Sequence, residues 1–177
     1  MFVIRQSPFG DWTAPAHLPC APDGPNTVGP EFSPSLVETD DGTYLFYSSN
    51  GGAGGQDIYM STLGENGFGP GVVVERLSTI WDDLMPNVRA LDGGGFEVVF
   101  NSNRPSWGPA DQFPAFGGQD VYISRIRSPL PTGNWRAPRN LGENVNTAGN
   151  ETRATLSADG QRLHFGRDGD IYVSQRE

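Results

Sequence analysis

Three carboxylates occupy one place in three repeated passages: Glu31 opens EFSPSL, Asp83 opens DLMPNV and Glu151 opens ETRATL, with Asp82 beside the second. Carboxylates brought together raise one another's pKa, and they can hold a cation or divide the work of a general acid and a general base. A residue that recurs in every repeat also serves the repeat, so a second reading stands beside the chemical one, in which each acid accepts hydrogen bonds from backbone amides. Asp57, Asp120 and Asp170 recur as well, each just ahead of an apolar run, where a short acidic side chain caps a turn.

Residues that break the repeat discriminate better, because the fold does not require them in each copy. Trp81 and Asp82, with Arg89 and Arg104, form a candidate aromatic and ionic cluster, since an indole face stacks on a sugar and on a guanidinium alike. The segment RPSWGPADQFPAF, from Arg104 to Phe116, is an insertion that carries Trp107. An aromatic loop on a rigid scaffold either recognises a ligand or packs over an edge. Trp81, Asp82, Asp83, Arg89, Arg104 and Trp107 are therefore the ligand-binding candidates, with Glu31, Asp83 and Glu151 as the alternative catalytic set. Nucleophilic chemistry has less support. His17 and His164 stand at variable positions of the repeat with no G-x-S-x-G elbow near them, and Cys20 has only alanine and proline as neighbours.

Short strands must position these side chains. GGQDIYMS from Gly54, GGQDVYIS from Gly117 and GDIYVS from Gly169 line up, as do LFYSSN, VVFNSN and LHFGRD. An Asp-Gly turn precedes each member of the second set, at Asp41, Asp92 and Asp159, and WTAPAHL, FGPGVVV and WRAPRNL form a fourth recurring feature. The period is about fifty residues, and its two-residue alternation predicts four short antiparallel strands per unit. The glycine stretch GGAGGQ lies between two strands with no helix after it, which excludes a phosphate cradle there.

Composition narrows the classes further. With 24 glycines and 15 prolines in 177 residues, long helices have little room. All twelve basic residues are arginine, and against 21 acids they leave a net charge of −9, which repels nucleic acid at long range. No apolar run approaches the length of a membrane helix, so membrane insertion is not expected. No cofactor motif is present and none is expected, although converging acids of this kind have room for a channel cation such as calcium.

The combination of LSADG, a strand ending near SSN, a Gly-Gly stretch with DIYVS, and NLGENVNT resembles the WD-like repeats of TolB-type β-propellers over nearly the whole chain. The resemblance implies an all-β propeller segment of about three four-stranded blades plus one extra strand. Residues 1–30 would form a partial blade and entry loop, 31–78 a blade, 79–142 a blade with the aromatic insertion, and 143–177 an incomplete last blade. It further implies a periplasmic or extracellular binding or scaffold module, rather than an enzyme, that recognises a protein, peptide or carbohydrate at the channel mouth. Two other readings stay open: a carbohydrate-active hydrolase or lyase using the converging acids, and a half-ring assembly unit with no small-molecule ligand. Propellers have four to eight blades, so three require either a homodimer that closes a six-bladed ring or a longer parent chain.

Overall fold

The computed structural model of the protein describes residues 1–52, 54–105, 114–128, 131 and 133–176. Their strands fall into four separate antiparallel sheets that follow one another in chain order. A short ribbon pairs β1 (Phe2–Val3) with β2 (Ala16–His17). The leading sheet runs β3 (Glu31–Thr39), β4 (Gly42–Ser49), β5 (Asp57–Gly64) and β6 (Gly67–Phe68), and β7 (Val72–Val73) also pairs with β5. The middle sheet has β8 (Asp83–Ala90), β9 (Phe96–Ser102), β10 (Asp120–Ile126) and β11 (Arg139–Asn140); the trailing sheet has β12 (Glu151–Leu156), β13 (Arg162–Arg167) and β14 (Asp170–Gln175).

Local sequence explains each hairpin. The turns joining β8 to β9 and β12 to β13 hold Gly93 and Gly160 at φ of 81° and 68°, a conformation that costs a residue with a Cβ. Each of the three acid-led strands also carries a register shift two residues after its acid, with Ser33, Met85 and Arg153 left-handed at φ of 51°, 57° and 53°. The shared pattern of an acid, two spacers and Pro or Ala therefore encodes a β-bulge, which bends the strand and sends the acid and the following residues to different neighbours.

Packing follows strict alternation. In the middle sheet Val98, Phe100 and Tyr122 join a core with Phe46, Ile58 and Met60 of the leading sheet. Val99, Val121 and Ile123, one residue out of phase, join a second core with Ala154, Leu163 and Phe165 of the trailing sheet. Strands buried on both faces read as continuous apolar runs, as the FEVVF stretch from Phe96 to Phe100 does apart from Glu97. The backs of Leu45, Tyr47 and Tyr59 meet Met1 and Leu18.

The paired glycines of the GGQD passages make the joints between sheets. A Cβ on Gly54 or Gly117 would lie 2.3 Å from the carbonyl oxygen of Ile80 or Ala148 in the next unit. One residue on, a Cβ at Gly55 or Gly118 would meet Asp82 or Asn150 at 2.2 Å. Only bare backbone fits there.

The propeller segment expected from the repeats is corrected by this topology. No described sheet closes on itself or on another to complete a ring, and the sheets have two, five, four and three strands instead of a uniform four. The physical reason lies in the trailing sheet: Ile171 and Val173 occupy the register of Val121 and Ile123, yet are 81% and 56% exposed. The repeat specifies hairpins and the contact between one sheet and the next, and neither of these dictates closure. The homodimer expected to complete such a ring finds no support. Among the described residues no helix is long and apolar enough to cross a membrane.

Candidate functional site

The three repeated acids sit at one end of the sheets, each held by a threonine four residues earlier. The Thr27 amide and hydroxyl donate to Glu31 at 2.8 and 2.6 Å, the Thr79 hydroxyl donates to Asp83 at 2.7 Å, and the Thr147 amide and hydroxyl donate to Glu151 at 3.0 and 2.7 Å. The residue before each threonine grips the preceding unit. Asn146 bonds both backbone groups of Val121, Ser78 both of Ile58, and Asn26 the carbonyls of Met1 and Leu18. The backbone amides of Asp83 and Glu151 also donate to the carbonyls of Gln56 and Gln119, both at 2.7 Å. Asp83 and Glu151 thus belong to the joints between sheets; the carboxylates of Glu31 and Glu151 accept from backbone amides, and that of Asp83 accepts from a hydroxyl.

Two of them are also paired with arginine. Asp83 and Arg104 form a fully buried ion pair; Arg104 further donates to the Leu77 carbonyl and to Ser102 Oγ, both at 2.9 Å, and lies 5.2 Å from the ring centroids of Phe100 and Tyr122. Arg167 repeats this against Glu151 at 2.9 Å, over Phe165 and Tyr172. Such pairs recover their desolvation cost only when further hydrogen bonds and ring contacts of this kind support the two charges. In the leading sheet Tyr47 and Tyr59 stack in the same way, but Gly51 follows where Arg104 follows in the middle sheet. Among the described residues Glu31 accordingly has no guanidinium partner. Burial, with Glu31 and Tyr59 close by, pushes the Tyr47 hydroxyl well above its ordinary range. Asp120 lies in the joint with Glu151. Burial raises its carboxyl pKa, against hydrogen bonds from the Phe116 amide and Asn140, and the Glu151 charge adds to the rise.

Trp81 and Asp82 stand beside Asp83 as expected. Asp82 accepts from the Gln56 amide at 3.0 Å and from Asn103 at 3.1 Å, so its carboxylate is tied into the joint. Trp81 differs. Its amide donates to Thr79 Oγ1 at 3.2 Å, as the amides of Gly29 and Gly149 donate to Thr27 and Thr147 at 3.0 and 3.2 Å. The same turn is made twice with glycine, so the fold does not demand the indole, which remains 43% exposed. Arg89 does not join this group. It lies six residues further along β8, about 20 Å away at 3.3 Å per residue. Trp107 lies outside the described residues. Among those described, no group of three or more His, Cys, Asp or Glu side chains is placed to hold a metal ion.

Arg89 belongs to a site at the opposite end that sequence reading missed. Arg89, Glu97 and Arg125 face one another across β8, β9 and β10 in a single register row. Glu97 is fully buried and accepts from Arg89 at 2.8 Å, Arg125 at 2.5 Å and Arg176 at 3.1 Å. Burial pushes the Glu97 carboxyl up, but the three guanidiniums outweigh it and hold the group below the ordinary glutamate range. Beside the row is a cavity of about 570 Å³ with Arg127 and Arg136 on its wall. The one available signal was the exclusive use of arginine; the pairing itself needs the hairpin registers.

No protein-family model matches the chain, and no curated protein matches it either. Among solved structures it is similar to the GH93 α-L-arabinofuranosidase of Fusarium graminearum, solved with arabinobiose, at 16% identity and a TM-score of 0.52. The likeness covers 93% of this chain and 46% of that one, so the chain spans about half the length of the enzyme it resembles. At this identity the likeness is one of fold. It corrects the TolB-type, WD-like assignment, since the arrangement of sheets is matched by a glycoside hydrolase. Nor does the fold support the expectation of a binding module rather than an enzyme, since the solved structure with this arrangement is a carbohydrate hydrolase.

Proposed function

We propose that the chain is part of a carbohydrate-active enzyme, a hydrolase or lyase, that takes its sugar at the acid-bearing end of the sheets. The observation that carries this reading is Trp81, a partly exposed indole at a turn position filled by glycine in both sister copies. An indole face in that setting buries the apolar face of a sugar ring at little entropic cost. The solved arabinofuranosidase of similar fold supports the ligand class. Of the three acids, Glu31 carries only its threonine and is half-buried, so it is the carboxyl free to give and take a proton. Asp83 and Glu151, buried and neutralised by arginine, fix the joints that position Glu31 and Trp81 and do not meet the sugar themselves.

Incubation with a polysaccharide panel that includes arabinans, followed by assay of released reducing ends, tests the reading. Turnover is expected, lowered by about a hundredfold or more in Glu31→Gln, the scale of a lost general acid or base. Trp81→Ala should weaken binding by roughly tenfold, the scale of one stacking contact, without moving the thermal midpoint. Binding without turnover would remove the enzyme and keep the recognition; neither binding nor turnover on any polysaccharide would sink both.

A further inference from the structure

We infer that the arginine-lined cavity at the far end of the middle sheet is a binding site for a small oxyanion carried on a sugar, the carboxylate of a uronic acid or a sulfate ester. The inference rests on the carbohydrate reading above and adds the charge of the ligand and a place for it.

The row of Arg89, Glu97 and Arg125 is unbalanced by construction. One buried carboxylate receives three guanidiniums, the third being Arg176 from beyond β14. Glu97 thereby orients the arginines without neutralising them. Arg89 is fully engaged, donating through Nε and Nη2 to Glu97 and through Nη1 to the Ala158 carbonyl at 3.1 Å. Arg125 reaches Glu97 through Nε, and among the described residues its terminal nitrogens have no acidic partner. Arg136 is brought beside it by a backbone bond of 2.9 Å from its own amide to the Arg125 carbonyl. Among the described residues neither Arg127 nor Arg136 has a carboxylate within ion-pair distance. A neighbouring cleft of about 400 Å³ shares Arg125 and Arg136 and adds Arg139 and Arg176.

Six of the twelve arginines therefore stand around two adjoining clefts with Glu97, Asp92 and Asp159, a surplus of three positive charges. The other six arginines face eighteen acids. Local and global charge together select the ligand. Glu97 holds Arg89, Arg125 and Arg176 in place while Arg127 and Arg136 stand exposed beside them, and guanidiniums match carboxylate and sulfate oxygens in pairs, whereas a long polyanion is repelled by the rest of the molecule beyond a Debye length. A short ligand with one or two charges is what remains. The cavity of about 570 Å³ is of the size that holds a sugar residue or two.

Titration calorimetry at low salt with glucuronate, glucose 6-sulfate, glucose and sodium sulfate tests this on the whole chain. Both acid sugars are expected to bind and glucose is not. The Arg127→Gln, Arg136→Gln double variant should bind the acid sugars about tenfold more weakly or worse, equivalent to about 1.4 kcal/mol. Arg5→Gln, an exposed arginine elsewhere, should leave binding unchanged. Three results would overturn the inference: equal binding by the double variant, acid sugars no better than glucose, or sulfate bound while neither acid sugar is. Trp81→Ala read against a neutral polysaccharide separates the two ideas. Failure of the arginine variant alone removes the anion site, and failure of neutral-sugar binding alone removes the reading it rests on.

Discussion

At the scale of single residues, the chain uses the same chemistry for two different ends. Asp83 and Glu151 are acids whose arginines come from their own sheet and close them off, whereas Glu97 gathers arginines from two strands and from the neighbouring sheet and leaves part of their charge outward. Glu97 also sets a pH dependence. Its folded pKa lies below the ordinary value of 4.5, so the stability it contributes is complete above that value and is lost as pH falls through the lower folded pKa. Urea unfolding midpoints measured against pH should decline on the acid side in the parent chain, with a shallower acid limb in Glu97→Gln. The variant should be the less stable of the two at neutral pH, because three guanidiniums then crowd an uncharged amide. An identical acid limb in both proteins would show that Glu97 is not the group responsible.

Between residues and the whole stand the joints. Gly117 leaves no room for a Cβ against the Ala148 carbonyl, so Gly117→Ala should lower the thermal midpoint, by an overpacking cost of about 1–3 kcal/mol. Gly64→Ala, on an open strand end where the nearest atom is 3.8 Å away, should have little effect. If both variants melt alike, the glycine joint is not what holds the sheets. This level also shows what could be read from sequence. The hairpins were legible because alternation and Asp-Gly turns are local signals. The acid-led motif was visible too, but its meaning as a bulge was not, since nothing in the letters says that Ser33, Met85 and Arg153 must turn left-handed. Trp12 and Trp135 open near-identical motifs, yet Trp135 is buried against Phe46 and donates to the Pro131 carbonyl, whereas Trp12 is 66% exposed. The difference comes from the leading sheet, which covers one indole and has no counterpart over the other. The acid end was found by repetition, and Trp81 by its departure from it. Arg89 was grouped wrongly because sequence proximity to Asp83 hides the length of an extended strand.

For the molecule as a whole, cover is graded along the series of sheets. The middle sheet contributes to a core on each face, while the trailing sheet contributes to one and presents Ile171 and Val173 to solvent. Nearest-neighbour arrays of this kind open from their least supported members. Amide hydrogen exchange should therefore be slowest in β9 and β10 and fastest in β14 and the β1–β2 ribbon; uniform protection across all sheets would refute the series as described. The exposed register of β14 has a further consequence. Ile171 and Val173 put apolar surface on the sheet least protected against opening, so local unfolding and exposure of apolar groups to other molecules coincide in one place.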